Sequence, residues 1–180
     1  MNLVERTVES KRVYEGRVVS LRVDTVQLPD GRLTTREVVE HKGAVAVVPV
    51  LDGGRLVLIR QYRQATGRVL LEIPAGGLEP GESPADCARR ELMEEIGYYP
   101  EELTEMFYSY LAPGYSSEKL HTFLAQGLVR RTEGNKDSDE FLEIVTVPLQ
   151  DAIDMIRNGE IADAKSICGI LLASRLMEEG

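Results

Sequence analysis

The sequence predicts an α/β fold built on a mixed β-sheet, with a small antiparallel β subdomain at its amino terminus. Short runs of alternating apolar and polar residues, separated by turn-forming residues, recur along the chain and are typical of strands. Three segments, one central and two near the carboxyl terminus, instead carry apolar residues at helical spacing. At 180 residues the chain is long enough for one domain with a substantial core.

Two β-hairpins are predicted in the amino-terminal part of the chain. Residues 12–40 alternate in two runs around a Pro-Asp-Gly turn at residues 29–31. Residues 43–51 and 55–63 form a second pair around an Asp-Gly-Gly turn at residues 52–54. Because no helical pattern precedes the second hairpin, the first one is expected to form the separate β subdomain.

A helix is predicted in the middle of the chain. A strand at residues 69–73 leads into a loop at residues 74–77, which is rich in proline and glycine. Ser83 is a typical N-cap, because a proline follows at the first helical position and an acid at the third. We expect the helix to extend to Ile96 and to end at Gly97.

The remainder of the chain predicts three strands and two helices. The strands are expected at residues 106–111, 121–129 and 141–147, and the helices at residues 149–158 and 162–177.

The charge balance excludes several classes of partner. The chain has 21 basic and 30 acidic side chains, which give a net charge of -9. Nucleic acids and anionic membranes require a positive surface, so neither is an expected partner. The amino terminus lacks the apolar stretch of a secretory signal, and the two cysteines, Cys87 and Cys168, lie far apart in sequence. We therefore expect a cytoplasmic protein.

Three acidic residues of the central helix are candidates for binding a metal ion. Glu91, Glu94 and Glu95 are related by steps of three and four residues, so their side chains point to roughly one side of a helix. Carboxylates that crowd together repel one another, and oxygen ligands without Cys or His select a hard ion such as Mg²⁺ or Mn²⁺. The alternative is a solvated acidic face with no ligand.

The segment around these acids resembles the Nudix box. Residues 76–98, GGLEPGESPADCARRELMEEIGY, match its fixed positions one by one. The matching residues are Gly76, Glu82, Arg90, Glu91, Leu92, Glu94, Glu95 and Gly97. The last position holds Tyr98, where an aliphatic residue is more common. So many matches at fixed spacing favour the metal site over the solvated face.

The resemblance to Nudix hydrolases implies a fold, a reaction and a metal site. The implied fold is a mixed β-sheet sandwiched between helices, and the reaction is hydrolysis of a diphosphate. Glu91 and Glu95 would be the principal ligands of Mg²⁺, with Mn²⁺ possible, and Glu94 and the Ala75 carbonyl would complete the site. The resemblance counts Arg90 and Glu94 among the catalytic residues, and Arg90 would pair with a carboxylate of the box, either Glu82 or Glu94.

Beyond the box, the chain resembles the ADP-ribose pyrophosphatase branch from about residue 12 to its end. Three stretches carry this likeness: residues 42–77, residues 111–118 (LAPGYSSE) and residues 139–153 (DEFLEIVTVPLQDAI). The implied reaction converts ADP-ribose to AMP and ribose 5-phosphate. The alternatives are a Nudix hydrolase for a nucleotide sugar, NADH or a dinucleoside polyphosphate, and a non-catalytic module that senses ADP-ribose.

The same resemblance implies substrate contacts and a general base. Arg63 would contact the diphosphate or the adenine, Arg36 is a second candidate, and Pro113 and Gly114 would shape a loop beside the terminal ribose. Glu140 would activate water. Its acidic neighbours compete for that role: Asp137, Asp139 and Glu143.

The resemblance also implies two domains and a homodimer. Residues 1–40 would form the β subdomain, which would serve dimerisation and the adenine site. Residues 41–180 would form the hydrolase domain.

Overall fold

The structure, a computed structural model, describes residues 3–131 and 141–179. Within them the chain forms ten strands, three α-helices and one π-helical turn. The strands are β1 (Arg6–Glu15), β2 (Ser20–Gln27), β3 (Leu33–Glu40), β4 (Ala44–Leu51), β5 (Arg55–Arg63), β6 (Arg68–Glu72), β7 (Ala75–Gly77), β8 (Tyr98–Tyr110), β9 (Lys119–Arg130) and β10 (Leu142–Pro148). The helices are α1 (Pro84–Glu91), α2 (Leu149–Asn158) and α3 (Ala164–Glu179), and the π-helical turn covers Leu92–Ile96. None of the described helices is long and apolar enough to cross a membrane.

The chain divides into two compact units. The amino-terminal unit ends at Gly43 and also takes in Ser109–Lys119. The larger unit takes in Ala44–Tyr108 and the residues from Leu120 onward. The assignment of separate functions to residues 1–40 and 41–180 stays a prediction.

The amino-terminal unit contains an antiparallel sheet in the order β1-β2-β3. The turn predicted at residues 29–31 joins β2 to β3, and Gly31 has a φ of +89° there, which favours glycine. Strand β1 begins six residues before the predicted hairpin, and a turn closed by the Gly16 N–H on the Val19 carbonyl at 3.0 Å joins it to β2. Because β1 is exposed along its whole length, burial imposes no clear alternation on its sequence.

The larger unit contains a mixed sheet in the order β10-β5-β4-β9-β8. Strands β4 and β9 pair in parallel, while β5 pairs antiparallel with both β4 and β10. Two short strands extend it, since β6 pairs with β5 and β7 pairs with β4. The predicted mixed-sheet α/β fold is confirmed.

Helices cover both faces of this sheet. Val48 and Leu58 pack in one buried cluster with Ile170 of α3, whereas Val47 packs in a second cluster with Leu92. Alternate residues of β4 therefore point to opposite faces, and every residue from Ala44 to Val50 is buried. An uninterrupted apolar strand of this kind is typical of a sheet covered on both sides, as the sandwich prediction requires.

The central helix begins and ends as predicted but changes geometry on the way. The Ser83 hydroxyl oxygen accepts a hydrogen bond from the Asp86 N–H at 3.2 Å, and Gly97 ends the segment with a φ of +74°. Between Leu92 and Ile96 the backbone forms a wider π-helical turn. Such turns are rare and occur frequently at functional sites.

Three other boundaries differ from the sequence prediction. The predicted loop at residues 75–77 is strand β7, which pairs with the first residues of β4. Strand β8 starts at Tyr98, directly after the helix, because the polar residues in its first half are exposed and obscure the strand pattern. Helix α3 starts at Ala164, two residues later than predicted.

Candidate active site

The start of the box forms a tight junction between β7 and α1. The Ala75 N–H donates a hydrogen bond to Glu95 Oε2 at 3.0 Å. A β-carbon at Gly76 would overlap the carboxylate of Glu91, so any other residue at this position would displace that carboxylate. Glu91 and Glu95 are 9% and 3% exposed. The two carboxylates are therefore held against the backbone of β7, away from bulk solvent.

Arg90 binds three carboxylates of the box. Its Nε and Nη2 atoms donate to Glu82 at 2.9 and 3.0 Å, which makes a bidentate ion pair. Its Nη1 atom donates to Glu91 at 2.7 Å and to Glu94 at 2.9 Å. Its Nη2 atom also donates to the Gly77 carbonyl at 3.1 Å. Arg90, these three acids and the neighbouring Glu95 are called the Arg90 network, and the contacts of Arg90 tie the loop before α1 to the helix.

The Arg90 network carries an excess of negative charge. The guanidinium contacts the carboxylates of Glu82, Glu91 and Glu94, and the fourth carboxylate, that of Glu95, accepts from the Ala75 N–H, so these five side chains together carry three net negative charges. Hydrogen bonds from Arg90 lower the pKa of Glu82 to about 2. The same hydrogen bond from Arg90 to Glu82 raises the pKa of Arg90. Partly buried carboxylates repel one another, so a cation would stabilise this group.

The donor chemistry of the box fits a hard divalent cation. Among the described residues, no three His, Cys, Asp or Glu side chains are arranged to hold a metal ion as they stand. Glu91 and Glu94 accept hydrogen bonds from Arg90, and Glu95 accepts one from the backbone of Ala75. All candidate donors are nevertheless oxygen atoms, which Mg²⁺ and Mn²⁺ prefer.

Cys87 is a further contact of the Arg90 network that the sequence did not predict. Its buried Sγ atom lies 3.4 Å from the Gly77 carbonyl and accepts a hydrogen bond from Arg90 Nη2 at 3.2 Å. Burial raises the pKa of the Cys87 thiol to about 12, so the group is neutral. It packs beneath the site without adding charge.

The candidate substrate-binding residues are divided between the two units of the chain. Arg63 forms a bidentate ion pair with Glu72, in the larger unit. Arg36, in the amino-terminal unit, donates to Glu5 at 2.6 and 3.0 Å, and this hydrogen bond raises the pKa of Arg36. Pro113 and Gly114 lie exposed in the turn that follows β8.

The candidate general base is not placed by the structure. Glu140 lies outside the described residues, as do its competitors Asp137 and Asp139. Glu143 is described: it lies on β10 with its side chain 67% exposed, and it pairs with Arg60 at 3.5 Å.

Glu72 is a buried acid that sequence analysis missed. It is 1% exposed, and both Arg63 and Lys165 bind it. The sequence signal for this residue was an acid within the apolar run at residues 69–73. An acid that is buried with such a strand is almost always paired with a basic side chain.

Comparison with known families identifies the fold and the box. Residues 40–168 match the family model described as the NUDIX domain, which covers most of the chain. The chain belongs to the Nudix family. Residues 5–39 match a second model, the nucleoside diphosphate sugar hydrolase N-terminal domain. The Nudix assignment makes the chain a hydrolase of a family whose members generally need a divalent metal ion.

Two curated relatives and one solved structure are similar to the chain over more than nine tenths of its length. The chain is 41% identical to an ADP-ribose pyrophosphatase of Bacillus subtilis, over 94% of this chain and 92% of the relative. It is 37% identical to a methanol dehydrogenase activator of Bacillus methanolicus, over 92% and 90% of the two chains. The crystal structure of an ADP compounds hydrolase superposes on this chain with a TM-score of 0.87 at 26% identity, over 99% of this chain and 97% of the other.

Proposed function

We propose that this Nudix hydrolase cleaves the diphosphate of ADP-ribose to AMP and ribose 5-phosphate in the presence of Mg²⁺, with Mn²⁺ as an alternative ion. The observation that carries the proposal is the Arg90 network, in which Arg90 binds three carboxylates and the carboxylate of Glu95, on the same helical segment, is held by the backbone of β7. The substrate follows from the relative that is an ADP-ribose pyrophosphatase at 41% identity.

In this proposal Glu91, Glu95, Glu94 and the Ala75 carbonyl hold the divalent ion. The ion would offset negative charge on the diphosphate oxygens and lower the pKa of a water molecule beside it. Glu91 and Glu95 suit this role because the junction with β7 holds both side chains in place. Their burial keeps bulk water from competing for the same oxygen atoms.

Arg90 orients the carboxylates in the proposed mechanism. Its fork fixes Glu82 through two parallel hydrogen bonds, and its third nitrogen reaches Glu91 and Glu94. A planar guanidinium suits this task because its donors have a fixed geometry. Arg90 thereby keeps the acids at one end of the loop without neutralising them all.

The proposed chemical step is in-line attack of water on one phosphorus atom. Glu140 takes the proton from water as the new P–O bond forms and the bridging P–O bond breaks. Arg63 offsets the charge that develops on the diphosphate. Among the competing bases, Glu143 is the one that the structure describes, and its exposed ion pair with Arg60 makes it the weaker choice.

Further parts of the proposal concern the amino-terminal unit. Arg36, Pro113 and Gly114 are proposed as substrate contacts, and residues 1–40 as the part that serves adenine binding and homodimerisation. We also propose that the enzyme acts in the cytoplasm.

A nucleotide sugar is the second candidate substrate. The match of residues 5–39 to the amino-terminal domain of nucleoside diphosphate sugar hydrolases favours it. The same carboxylates would serve either substrate, because the diphosphate is common to both.

A substrate panel tests the proposal. ADP-ribose, GDP-mannose, NADH and a diadenosine polyphosphate are incubated with the enzyme with and without Mg²⁺, and products are separated by chromatography. We expect Mg²⁺-dependent AMP release that is greatest with ADP-ribose, lost in Glu95→Gln and retained in the exposed control Glu178→Gln. Preference for another diphosphate would replace the substrate, and binding of ADP-ribose without cleavage would indicate a sensor.

A further inference from the structure

A second group of charged residues lies at the ends of β5 and β6. This Glu72 cluster consists of Arg63, Glu72, Asp163 and Lys165. Arg63 Nη2 donates to Glu72 Oε2 at 2.8 Å, and Arg63 Nε lies 3.2 and 3.3 Å from the two carboxylate oxygens. Lys165 Nζ donates to Glu72 at 2.6 Å and to Asp163 at 2.8 Å. Glu72 is therefore held from two sides, by a strand and by a helix.

The burial of Glu72 needs a physical reason. Placing a carboxylate in a protein interior costs free energy, and an ion pair often only offsets that cost. An apolar side chain would extend the run of β6 without this cost. Burial raises the pKa of Glu72, but the hydrogen bond from Arg63 and the charge of Lys165 outweigh it, so the pKa is lowered. Glu72 is thus a fixed negative charge that directs the fork of Arg63.

The Glu72 cluster lies close to the box along the chain. Glu72 precedes Ala75 by three residues, and three extended residues span roughly 10 Å at most. Ala75 in turn donates to Glu95 of the box. Glu72 also pairs directly with Ile59, whose side chain packs in the same cluster as Leu92. Because directly paired residues point to the same face of a sheet, Glu72 lies on the face that the central helix covers.

We infer that Glu72 is a positioning residue, which fixes the guanidinium of Arg63 in one orientation beside the box so that it meets the diphosphate there. Lys165 holds the second side of the Glu72 carboxylate and so limits its movement. The inference rests on the proposed function, because that function gives Arg63 its role at the diphosphate. It extends that function to a residue that contacts no substrate.

A double-mutant cycle tests whether Glu72 acts through Arg63. The variants are Glu72→Gln, Arg63→Met and the double substitution, and each is assayed for kcat and KM on the best diphosphate of the panel. We expect Glu72→Gln to lower kcat by about 10-fold to 100-fold, because misplacing a positioned group costs this much. KM should change by less than about threefold, since the positive charge of Arg63 remains. The double variant should be no worse than Arg63→Met alone.

Losses that multiply in the double variant would overturn the inference, because they would mean that Glu72 acts independently of Arg63. The inference would also be overturned if the wild-type enzyme is active and Arg63→Met has the same kcat. The proposed reaction would then stand. If the wild type cleaved no diphosphate in the panel, the proposed function would fail first, and the inference with it.

A second variant avoids any change to the buried acid. Arg63→Lys keeps the positive charge but loses the fork that Glu72 binds. We expect the kcat of Arg63→Lys to fall nearly as far as that of Arg63→Met. A kcat of Arg63→Lys near the wild-type value would overturn the inference, even if Glu72→Gln failed to fold. The matched control is Arg60→Lys on the same strand, whose partner Glu143 is exposed. Circular dichroism and thermal unfolding of every variant establish that it is folded.

Discussion

The Arg90 network and the Glu72 cluster are both built around an arginine that binds carboxylates, but their charges balance differently. The Glu72 cluster has two acids and two bases, so it is neutral within itself. The Arg90 network has four acids and one base. A balanced cluster can hold side chains in place without help, whereas an acidic excess needs a cation from outside. The comparison therefore separates a positioning cluster from a proposed metal site.

The largest difference in the free energy of unfolding is expected when one basic side chain is removed from each group, Arg90 from the first and Lys165 from the second. Arg90→Met removes the guanidinium that Glu82, Glu91 and Glu94 share, and it should lower the free energy of unfolding by about 2–3 kcal/mol in the presence of a chelator. Lys165→Met leaves Glu72 paired with Arg63 and should lower the free energy of unfolding by roughly 2 kcal/mol. The proposed Mg²⁺ site is intact in Lys165→Met, so the ion should stabilise that variant by as much as wild type, and it should stabilise Arg90→Met by about 1–2 kcal/mol more because that variant has one more net negative charge at the site.

Urea denaturation of both variants, with chelator and with Mg²⁺, checks this prediction. If Mg²⁺ stabilised the two variants by the same amount, removal of Arg90 would not add to the charge that the ion meets, and the charge comparison would be wrong.

Two adjacent glycines sharpen the comparison at the β7 junction. Gly76→Ala should destabilise the fold by about 2 kcal/mol, because its β-carbon would overlap the Glu91 carboxylate. Gly77→Ala meets no atom within 4 Å and should change stability by less than about 0.5 kcal/mol. Chemical denaturation of both variants measures the difference, and equal stabilities would show that Glu91 is not held against the backbone.

The smallest expected effect is the acid dependence of the pair between Arg90 and Glu82. Arg90 lowers the pKa of Glu82 to about 2 from an ordinary value of 4.5. The pair therefore stabilises the fold fully above about pH 5, and this contribution falls as the pH drops towards 2, because the unfolded chain binds a proton first. The stability difference between wild type and Glu82→Gln should shrink by about 1 kcal/mol between pH 6 and pH 3.

Urea denaturation at the two pH values measures this change. A constant difference between wild type and Glu82→Gln would mean that the Arg90 pair does not shift the titration of Glu82.

The structural features that the sequence predicts are those that depend on residues close together along the chain. The start of the central helix followed from Ser83 and the proline after it, and the mixed sheet followed from strand patterns such as that of β4. The box was found because its spacing is fixed. These features depend on neighbouring residues, so a single sequence contains them.

The features that escaped prediction depend on tertiary structure. Strand β1 is exposed and shows no clear alternation, and the π-helical turn follows the same residue pattern as an α-helix. That Arg90 binds three acids at once depends on how the loop folds over the helix. Glu72 and Lys165 are 93 residues apart, so only the folded chain brings them together.

The central claim is that the acidic excess of the Arg90 network binds a divalent cation. Thermal unfolding with and without Mg²⁺, for wild type, Glu95→Gln and the control Glu178→Gln, tests it most directly. We expect Mg²⁺ to raise the Tm of wild type and of the control by roughly 5 °C, and that of Glu95→Gln by less than about 1 °C. Equal shifts in all three proteins would contradict the claim, because the ion would then bind somewhere other than the box.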